Sequence, residues 1–371
     1  IMIKKAIFYA NIDSSQNSYV KKVENICKVF NKYGFDTKLL IKRGGSENFC
    51  TFKNTLYSKN TIFSYVNFIF LILISKYNLV YIRHPRLNFL YIFILCFIRL
   101  FNRKCFVVHE IPTYPYDYEW QFNRPFEKIR KNMDLISRIF LKHLINLITV
   151  IGGFEGNKIF GVKAIEIKNG VNIYDYDAYK ELTNIETINI IGVGNISLRH
   201  GYDRIIKSIS KVDSNKFKVK FNIVGTGDQI ANLKNLSEKL NIKDSKIFFY
   251  GIKNGNDLEK IFCKSHIAVG NLGFHRIKVK TSSALKEKEF MARGIPYITV
   301  TIDDRLDMNK ASIFQVDNSE KNICLETIIL ELKKKYKKKN FDYMRNFASK
   351  YLNWESSLSP LLKEIHKYEN N

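Results

Sequence analysis

Between Gly273 and Val300 the chain reads GFHRIKVKTSSALKEKEFMARGIPYITV, with basic and hydroxyl residues crowded at one end. His275, Arg276, Lys278 and Lys280 fall in a polar loop, and Thr281, Ser282 and Ser283 follow. Hydroxyls at that point suit a helix start, because they accept the free N–H groups of a first turn. A basic loop feeding a helix N-terminus suits an anion, since exposed amides and the helix dipole both point at it. Glu289 sits deeper, beside Phe290, Met291 and Ala292. A carboxylate there can take two hydrogen bonds from a vicinal diol such as a ribose. The plainer reading pairs it with Lys286 as a surface i,i+3 couple worth roughly a few tenths of a kcal/mol.

Two other stretches carry chemistry. Gly194-Asn195-Ile196-Ser197-Leu198-Arg199-His200-Gly201 reads as a glycine-flanked turn, where backbone can approach a ligand and Arg199 and His200 can hold phosphate oxygens. His109-Glu110-Ile111-Pro112-Thr113-Tyr114-Pro115-Tyr116-Asp117-Tyr118-Glu119 mixes aromatic faces with carboxylates, a combination that suits sugar rings. It follows a strand over Cys105 to Val108, and open α/β sheets bind ligands at the carboxyl ends of their strands. The alternative is a rigid Pro/Tyr loop held by local packing. Asp175-Tyr176-Asp177 and Asp303-Asp304 read as coincidental acidic pairs, and no metal site or cofactor is expected.

The elements that must position these residues alternate between strand and helix. Lys5 to Ala10 is strand-like, a helical apolar pattern runs from Tyr19 to Tyr33, and Phe35 to Ile41 is again a strand. Such a β-α-β opening implies a parallel sheet. Ile62 to Ile74 and Leu87 to Phe101 are strongly apolar but shorter than the roughly 20 residues that span a bilayer. They read as two core helices flanking a strand at Leu79 to Ile82. The other reading lays the aromatic helix with Phe89, Tyr91, Phe93, Phe97 and Phe101 into a membrane interface, with Arg99, Arg103 and Lys104 at anionic headgroups. Phe126 to Leu147 reads as one long basic amphipathic helix, and Glu155 to Phe160 as a short one.

A fresh strand begins at Ile188. Strands at Val219 to Val224, Ile247 to Tyr250, Ile267 to Gly270 and Tyr297 to Val300 alternate with helices, so a second doubly wound sheet is expected. Gly225 and Gly251 end two of these strands. Gly294 closes the Ala284 helix, and Pro296 blocks its continuation. The expected division is 1–170, a linker over 171–186, a second domain over 187–340, and C-terminal helices over 341–371.

At 371 residues with 46% hydrophobic content, two cores are affordable, and none of the six cysteines forms a CxxC pair. The net charge of +25 suits nucleic acid, an anionic membrane or phosphorylated substrates. No nucleic-acid signature of known spacing appears, so nucleic acid is not the expected partner. Lys4-Lys5 precede only the short run Ala6 to Ala10, so no signal peptide is expected. Oligomeric state is left open.

LKEKEFMARGIPYI resembles the "EAMACGxPVI" segment of retaining GT-B glycosyltransferases, the family 4 type. In that family it holds the second of two glutamates separated by seven residues. Glu289 falls on that second, ribose-binding glutamate and Thr281 falls on the first. The form Ser283-x-Leu285-Lys286-x-x-Glu289 and the run Glu110-Ile111-Pro112-Thr113-Tyr114-Pro115-Tyr116 resemble a bacterial polysaccharide branch of the superfamily. Asn169-Gly170-Val171-Asn172 is similar to the "NGVD" before the interdomain linker, and Tyr351-Leu352-Asn353-Trp354-Glu355 to the crossover of the last helix. The stretch from Gly194 to Ile206 is similar to "GR…KGxDxLI", with Asn195 for the usual Arg and His200 for the usual Lys.

The resemblance implies an α/β GT-B fold: two Rossmann-like domains facing a cleft, and a last helix crossing back to the first. It implies a metal-independent transferase that moves a sugar from a UDP- or GDP-linked donor to a hydroxyl of a glycan, lipid-linked, at the cytoplasmic face of the membrane. Retention is the implied outcome. An inverting enzyme with His109 or Asp13 as base, and a non-catalytic basic protein that binds membranes or polyanions, are the alternatives. Arg199, Lys286, His109 and Glu110 are the expected catalytic residues. Gly194, Asn195, His200, Gly225, Gly251, His275, Arg276, Lys280, Thr281, Ser282, Ser283 and Glu289 are expected to hold the donor, and Asp13, Ser14, Thr113, Tyr114 and Tyr116 the acceptor.

Overall fold

The computed structural model describes residues 4–14, 17–44, 50–83, 86–117, 120, 126–179, 182, 186–242, 246–279, 283–303, 305–337 and 342–370. They form two compact units. One comprises Ile1–Gly170 with Trp354–Asn371, the other Val171–Asn353.

The first unit runs β1 (Lys4–Asp13), α1 (Asn17–Lys32), β2 (Phe35–Lys42), β3 (Thr55–Ser58), α2 (Thr61–Ile74), β4 (Leu79–Arg83), α3 (Phe89–Phe101), β5 (Phe106–Ile111), α4 (Glu127–Arg138), α5 (Leu141–Leu144), β6 (Leu147–Ile151), β7 (Lys158–Ile159) and β8 (Val162–Ile167). Among the described residues its sheet has the order β3-β2-β1-β4-β5-β6-β8-β7. All its pairings are parallel except β7 with β8, a hairpin where sequence reading expected a short helix. Successive side chains of a strand point to opposite faces. Thus Ile7 and Tyr9 of β1 pack under α2 and α3, in a core with Tyr65, Phe68, Tyr91 and Leu95. Phe8 turns to the other face, against Tyr81. Asn60 and Asn88 cap α2 and α3, accepting the amides of Phe63 at 3.0 Å and Tyr91 at 2.8 Å.

The second unit runs β9 (Thr187–Val193), α6 (Tyr202–Ile209), β10 (Lys218–Val224), α7 (Ile230–Lys239), β11 (Ile247–Gly251), α8 (Gly255–Phe262), β12 (Ile267–Val269), α9 (Leu285–Arg293), β13 (Tyr297–Thr299), β14 (Ile313–Gln315), α10 (Leu325–Lys337) and α11 (Asp342–Tyr351). Its six described strands lie in the order β11-β10-β9-β12-β13-β14, all parallel. That is the doubly wound order, and it reverses direction between β9 and β12.

The final helix, α12 (Trp354–Glu369), belongs to the first unit. Trp354 lies where a Cβ on Gly170 would come within 2.7 Å of its Cα. Glu355 and Glu369 pair with Lys32 and Lys4, each at 2.7 Å. The sequence expectation put the return at 341. Instead α11 packs on α9, with Met344 and Phe347 in the second unit's core, so the return begins at Trp354. The segment expected as a linker is strapped to the second unit. Tyr179 N–H donates to the Arg293 carbonyl at 2.7 Å, and the Arg345 guanidinium holds the carbonyls of Ile173 and Tyr176 at 3.1 Å.

Candidate active site

The carboxyl ends of β9 and β12, where the second sheet reverses, gather the strongest constellation. Lys286, in the first turn of α9, donates to the Gly270 carbonyl at 2.9 Å and to the Tyr202 hydroxyl at 3.3 Å. Its ammonium also stands over the Tyr202 ring, 5.1 Å from the centroid. Burial pushes Lys286 down to about 7, Glu287 opposes this, and Arg199 reinforces it. Arg199 is half-buried, and its guanidinium has no hydrogen-bond or ion-pair partner among the described residues. An unpaired guanidinium beside the Lys286 side chain is a seat for an anion with more than one charge.

His200 differs from the cation expected of it. Burial lowers its pKa well below the ordinary 6.5, and the Lys286 and Arg199 charges add to this. Its Nδ1 accepts the Ser197 amide at 3.0 Å. The proton of the neutral ring therefore sits on Nε2, which lies 2.9 Å from where a Cβ on Gly194 would be. His200 offers one neutral donor, not a charge.

The turns after β9, β10 and β11 stack on one another. Gly194 N–H donates to Val224 at 3.0 Å, and Gly225 N–H to Gly251 at 2.7 Å. Gly225 has φ of 124°, and a Cβ there would fall 1.9 Å from the Gly194 carbonyl oxygen, so only glycine fits. Asn195 is exposed at the rim.

Two further residues complete the site, Glu287, which sequence reading missed, and Asn271, which opens the stretch expected to reach the donor. Glu287 is buried and accepts the Asn271 amide and the Thr299 hydroxyl, both at 3.0 Å. Burial raises its pKa, opposed by the Asn271 amide and Lys286. It ties α9 to the ends of β12 and β13. The signal was Gly270, whose missing side chain makes room: a Cβ there would lie 2.5 Å from the Glu287 carboxylate. Asn271 itself is buried, and its amide oxygen has no partner among the described residues, which leaves an acceptor open at the switch point.

Glu289, also on α9, is half-buried and accepts the Tyr176 hydroxyl. It is not turned to bulk water. Ser283 is buried just before the helix, whose N-cap residue is Ala284, one position after the expected hydroxyl run. Lys280, Thr281 and Ser282 lie outside the described residues.

His275 and Arg276 are corrected. Arg276 holds Asp203 with two bonds, 2.7 and 2.9 Å, and Glu320 at 2.6 Å. His275 meets the same Glu320 at 2.8 Å, so its ring is engaged within the loop. These bonds fasten the loop after β12 to α6 and to the segment before α10.

In the first unit, β5 extends to Ile111, so His109 and Glu110 sit in the sheet and not in a loop. Alternation sends them to opposite faces. His109 is buried under α3, its Nδ1 2.7 Å from the Tyr91 hydroxyl. Glu110 is wholly buried under α1 and accepts Lys22 at 2.8 Å, Tyr81 at 2.6 Å, and Arg83. Burial alone would raise its pKa, but the Lys22 and Arg83 charges overrule this and hold it at about 2. A carboxylate so neutralised has no basicity near pH 7, and the geometry gives Glu110 a structural charge cluster in place of the expected catalytic role.

The expected acceptor residues divide. Asp13 ends β1, half-exposed, 3.5 Å from the Lys42 ammonium. Ser14 is buried and accepts the Gly44 amide at 2.8 Å. Tyr114 packs edge-on against Phe154, and Thr113 is half-buried beside it. Tyr116 is buried, donates to Asp134 at 3.1 Å and lies under Arg138, so it locks the loop and leaves no free hydroxyl for a ligand.

Residues 175–341 match the family model described as glycosyl transferases group 1. No curated protein sequence matches the chain. Among solved structures, the catalytic domain of starch synthase IV from Arabidopsis thaliana, bound to ADP and acarbose, is similar with a TM-score of 0.68 at 10% identity, covering 100% of both chains. Sucrose-phosphate synthase from Thermosynechococcus elongatus gives 0.67 at 13% identity, covering 99% of this chain and 100% of that one. Anabaena HepE, in complex with UDP and glucose, gives 0.63 at 11% identity, covering 98% and 100%. The chain has the GT-B fold, and the family match with that fold supports a glycosyltransferase of the group 1 kind.

Proposed function

Taking a GT-B chain whose second unit carries the group 1 match as the premise, we propose that it transfers a sugar from a UDP- or GDP-linked donor to a hydroxyl of a lipid-linked glycan. The setting is bacterial cell-surface polysaccharide synthesis on the cytoplasmic face of the membrane, as the polysaccharide-branch motifs suggest. The carrying observation is the pairing of unpartnered Arg199 with Lys286 at the switch point of the second sheet. When the sugar–oxygen bond breaks, negative charge grows on the departing diphosphate. Fixed cations and the amides of the first turn of α9 meet that charge without reorganising, which is how such sites lower a barrier. This chemistry calls for no metal. Glu289 holds the ribose hydroxyls, giving up the Tyr176 bond or sharing it. His200 Nε2–H and the open Asn271 oxygen complement a neutral polyhydroxyl ring. The acceptor oxygen bonds to the anomeric carbon on the face the diphosphate leaves, and its proton departs with the diphosphate, so configuration is retained.

One observation favours an inverting variant: Asp13 is the expected base that remains half-exposed at a strand end, whereas His109 is buried against Tyr91. The anomeric configuration of the product, read by NMR, separates the two. Turnover of nucleotide sugars by Lys286→Ala and Glu289→Ala variants tests the site itself. A chain that merely binds polyanions would instead show binding erased by salt and no saturable nucleotide site.

A further inference from the structure

We propose that the outer face of α2 and α3 is a docking surface for an anionic phospholipid bilayer. The claim rests on the membrane-side part of the reading above and not on its sugar chemistry. The buried stripe of α2 is Tyr65, Phe68, Leu71 and Ile72, as a core helix requires. Its opposite stripe is apolar too: Ile62, Phe63, Val66, Phe70, Leu73 and Ile74 are all exposed, Ile62 by 69%. On α3, which packs beside α2, Phe89, Leu90, Phe93, Leu100 and Phe101 repeat the pattern, Leu100 being 74% exposed. Phe93, Phe97 and Phe101 form an aromatic ladder along this helix, with ring centroids 5.4 and 4.9 Å apart. A helix apolar all round is buried on both sides or faces lipid. Two adjacent ones exceed the patch size a monomer usually leaves to water.

Charge selects the occupant. From Asn48 to His109 the sequence has no Asp or Glu, while it carries eight Lys and Arg. Lys59 and Lys76 flank α2, and Arg103 and Lys104 follow α3. All four are exposed and have no ion-pair partner among the described residues. Arg99 does not join them, because it turns inward to the carbonyls of Leu144 at 2.8 Å and Cys105 at 2.9 Å and to the Asn146 side chain. Apolar rows edged by free cations match a lipid surface, in which acyl chains take the first and phosphate headgroups the second. Among the described residues no helix is long and apolar enough to cross a membrane, and at 14 and 13 residues these two lie flat in the interface.

The test is co-sedimentation of the full chain with vesicles of phosphatidylcholine alone or mixed with phosphatidylglycerol. Phe63→Ser/Phe70→Ser/Phe93→Ser and Lys76→Glu/Arg103→Glu/Lys104→Glu variants are compared, with UDP and GDP binding measured on the same preparations. Wild type should bind the anionic vesicles and lose binding as salt rises, each lost cation costing about fivefold. The serine variant should bind ~10-fold or more weakly. Its positions are exposed, so its melting temperature should hold; if it fails to fold, the charge-reversal variant carries the test. Unchanged vesicle binding by both variants overturns the proposal. So does sedimentation velocity showing a wild-type dimer that the serine variant dissolves without effect on vesicles, since the face then belongs to a second copy of the chain. Nucleotide binding without vesicle binding sinks this inference alone, and the converse sinks only the transferase reading.

Discussion

Burial lowers the pKa of Lys286 towards neutrality, and that gives the site a measurable signature. Burial holds it at about 7 in the free protein, against an ordinary 10.5. A diphosphate beside it favours the charged form, so binding should take up a proton. Affinity should then weaken as pH climbs through 7, because a growing share of the free protein has to be protonated first. Calorimetry of UDP or GDP binding in buffers of different ionisation heat measures this, and a heat independent of buffer contradicts it. Glu110 carries the opposite sign. Its pKa of about 2 lies below the ordinary 4.5, so its contribution is complete above 4.5 and lost as pH falls from there towards 2. Lys22, pushed down to about 8 by burial and by Arg83, works against the cluster, so the carboxyl shift overstates its net worth. Removing the carboxylate strands two buried cations, and Glu110→Ala should cost about 3–5 kcal/mol in denaturant unfolding. A loss near zero would return Glu110 to the list of reactive residues. Such roles were hidden in the sequence because they depend on which face of β5 each side chain takes. Reading His109 and Glu110 as loop residues ended the strand three residues early.

At the level of elements, the second unit was the more legible half. Each strand there is a short apolar run closed by a glycine or a polar turn, and each helix has one apolar stripe, so period and punctuation agree. The stacked turns after β9, β10 and β11 supply a sharp test. Gly225→Ala places a methyl group 1.9 Å from the Gly194 carbonyl and a side chain at φ of 124°. It should lower the melting temperature and displace the turn under His200, with at least about 1–3 kcal/mol of strain; an unchanged melting temperature would show that the turns do not stack as described. What the sequence hid was tertiary in origin. The Phe126 to Leu147 pattern is continuous, yet the chain breaks between α4 and α5 and enters β6 at Leu147. Helix α11 follows the basic run Lys333 to Lys339 and has a short apolar face, so it carries little signal of its own and owes its place to α9. The cations of the loop after β12 looked available for a ligand because Asp203 and Glu320, which neutralise them, lie 73 and 44 residues away from Arg276.

Across the whole chain, two doubly wound sheets, a returning helix and a large positive charge each constrain function differently. The repeated strand order puts a ligand-ready switch point in each unit. The charge of +25 is spread unevenly: Lys59, Lys76, Arg103 and Lys104 stand bare on the first unit's apolar flank, and Arg199 with Lys286 stands at the second unit's strand ends. Family motifs located that second place from sequence, whereas the neutral state of His200 and the brace from Glu287 needed coordinates. The account's central claim is that Lys286 and Glu289 grip a nucleotide-diphosphate sugar from one helix. Its most direct test is the rate of sugar release from UDP- and GDP-sugars by the wild type, Lys286→Ala and Glu289→Ala. The account predicts turnover of at least one donor by the wild type and a loss of about a hundredfold or more in the Lys286 variant, with a weaker donor KM in the Glu289 variant. Wild-type rates in both variants would contradict it.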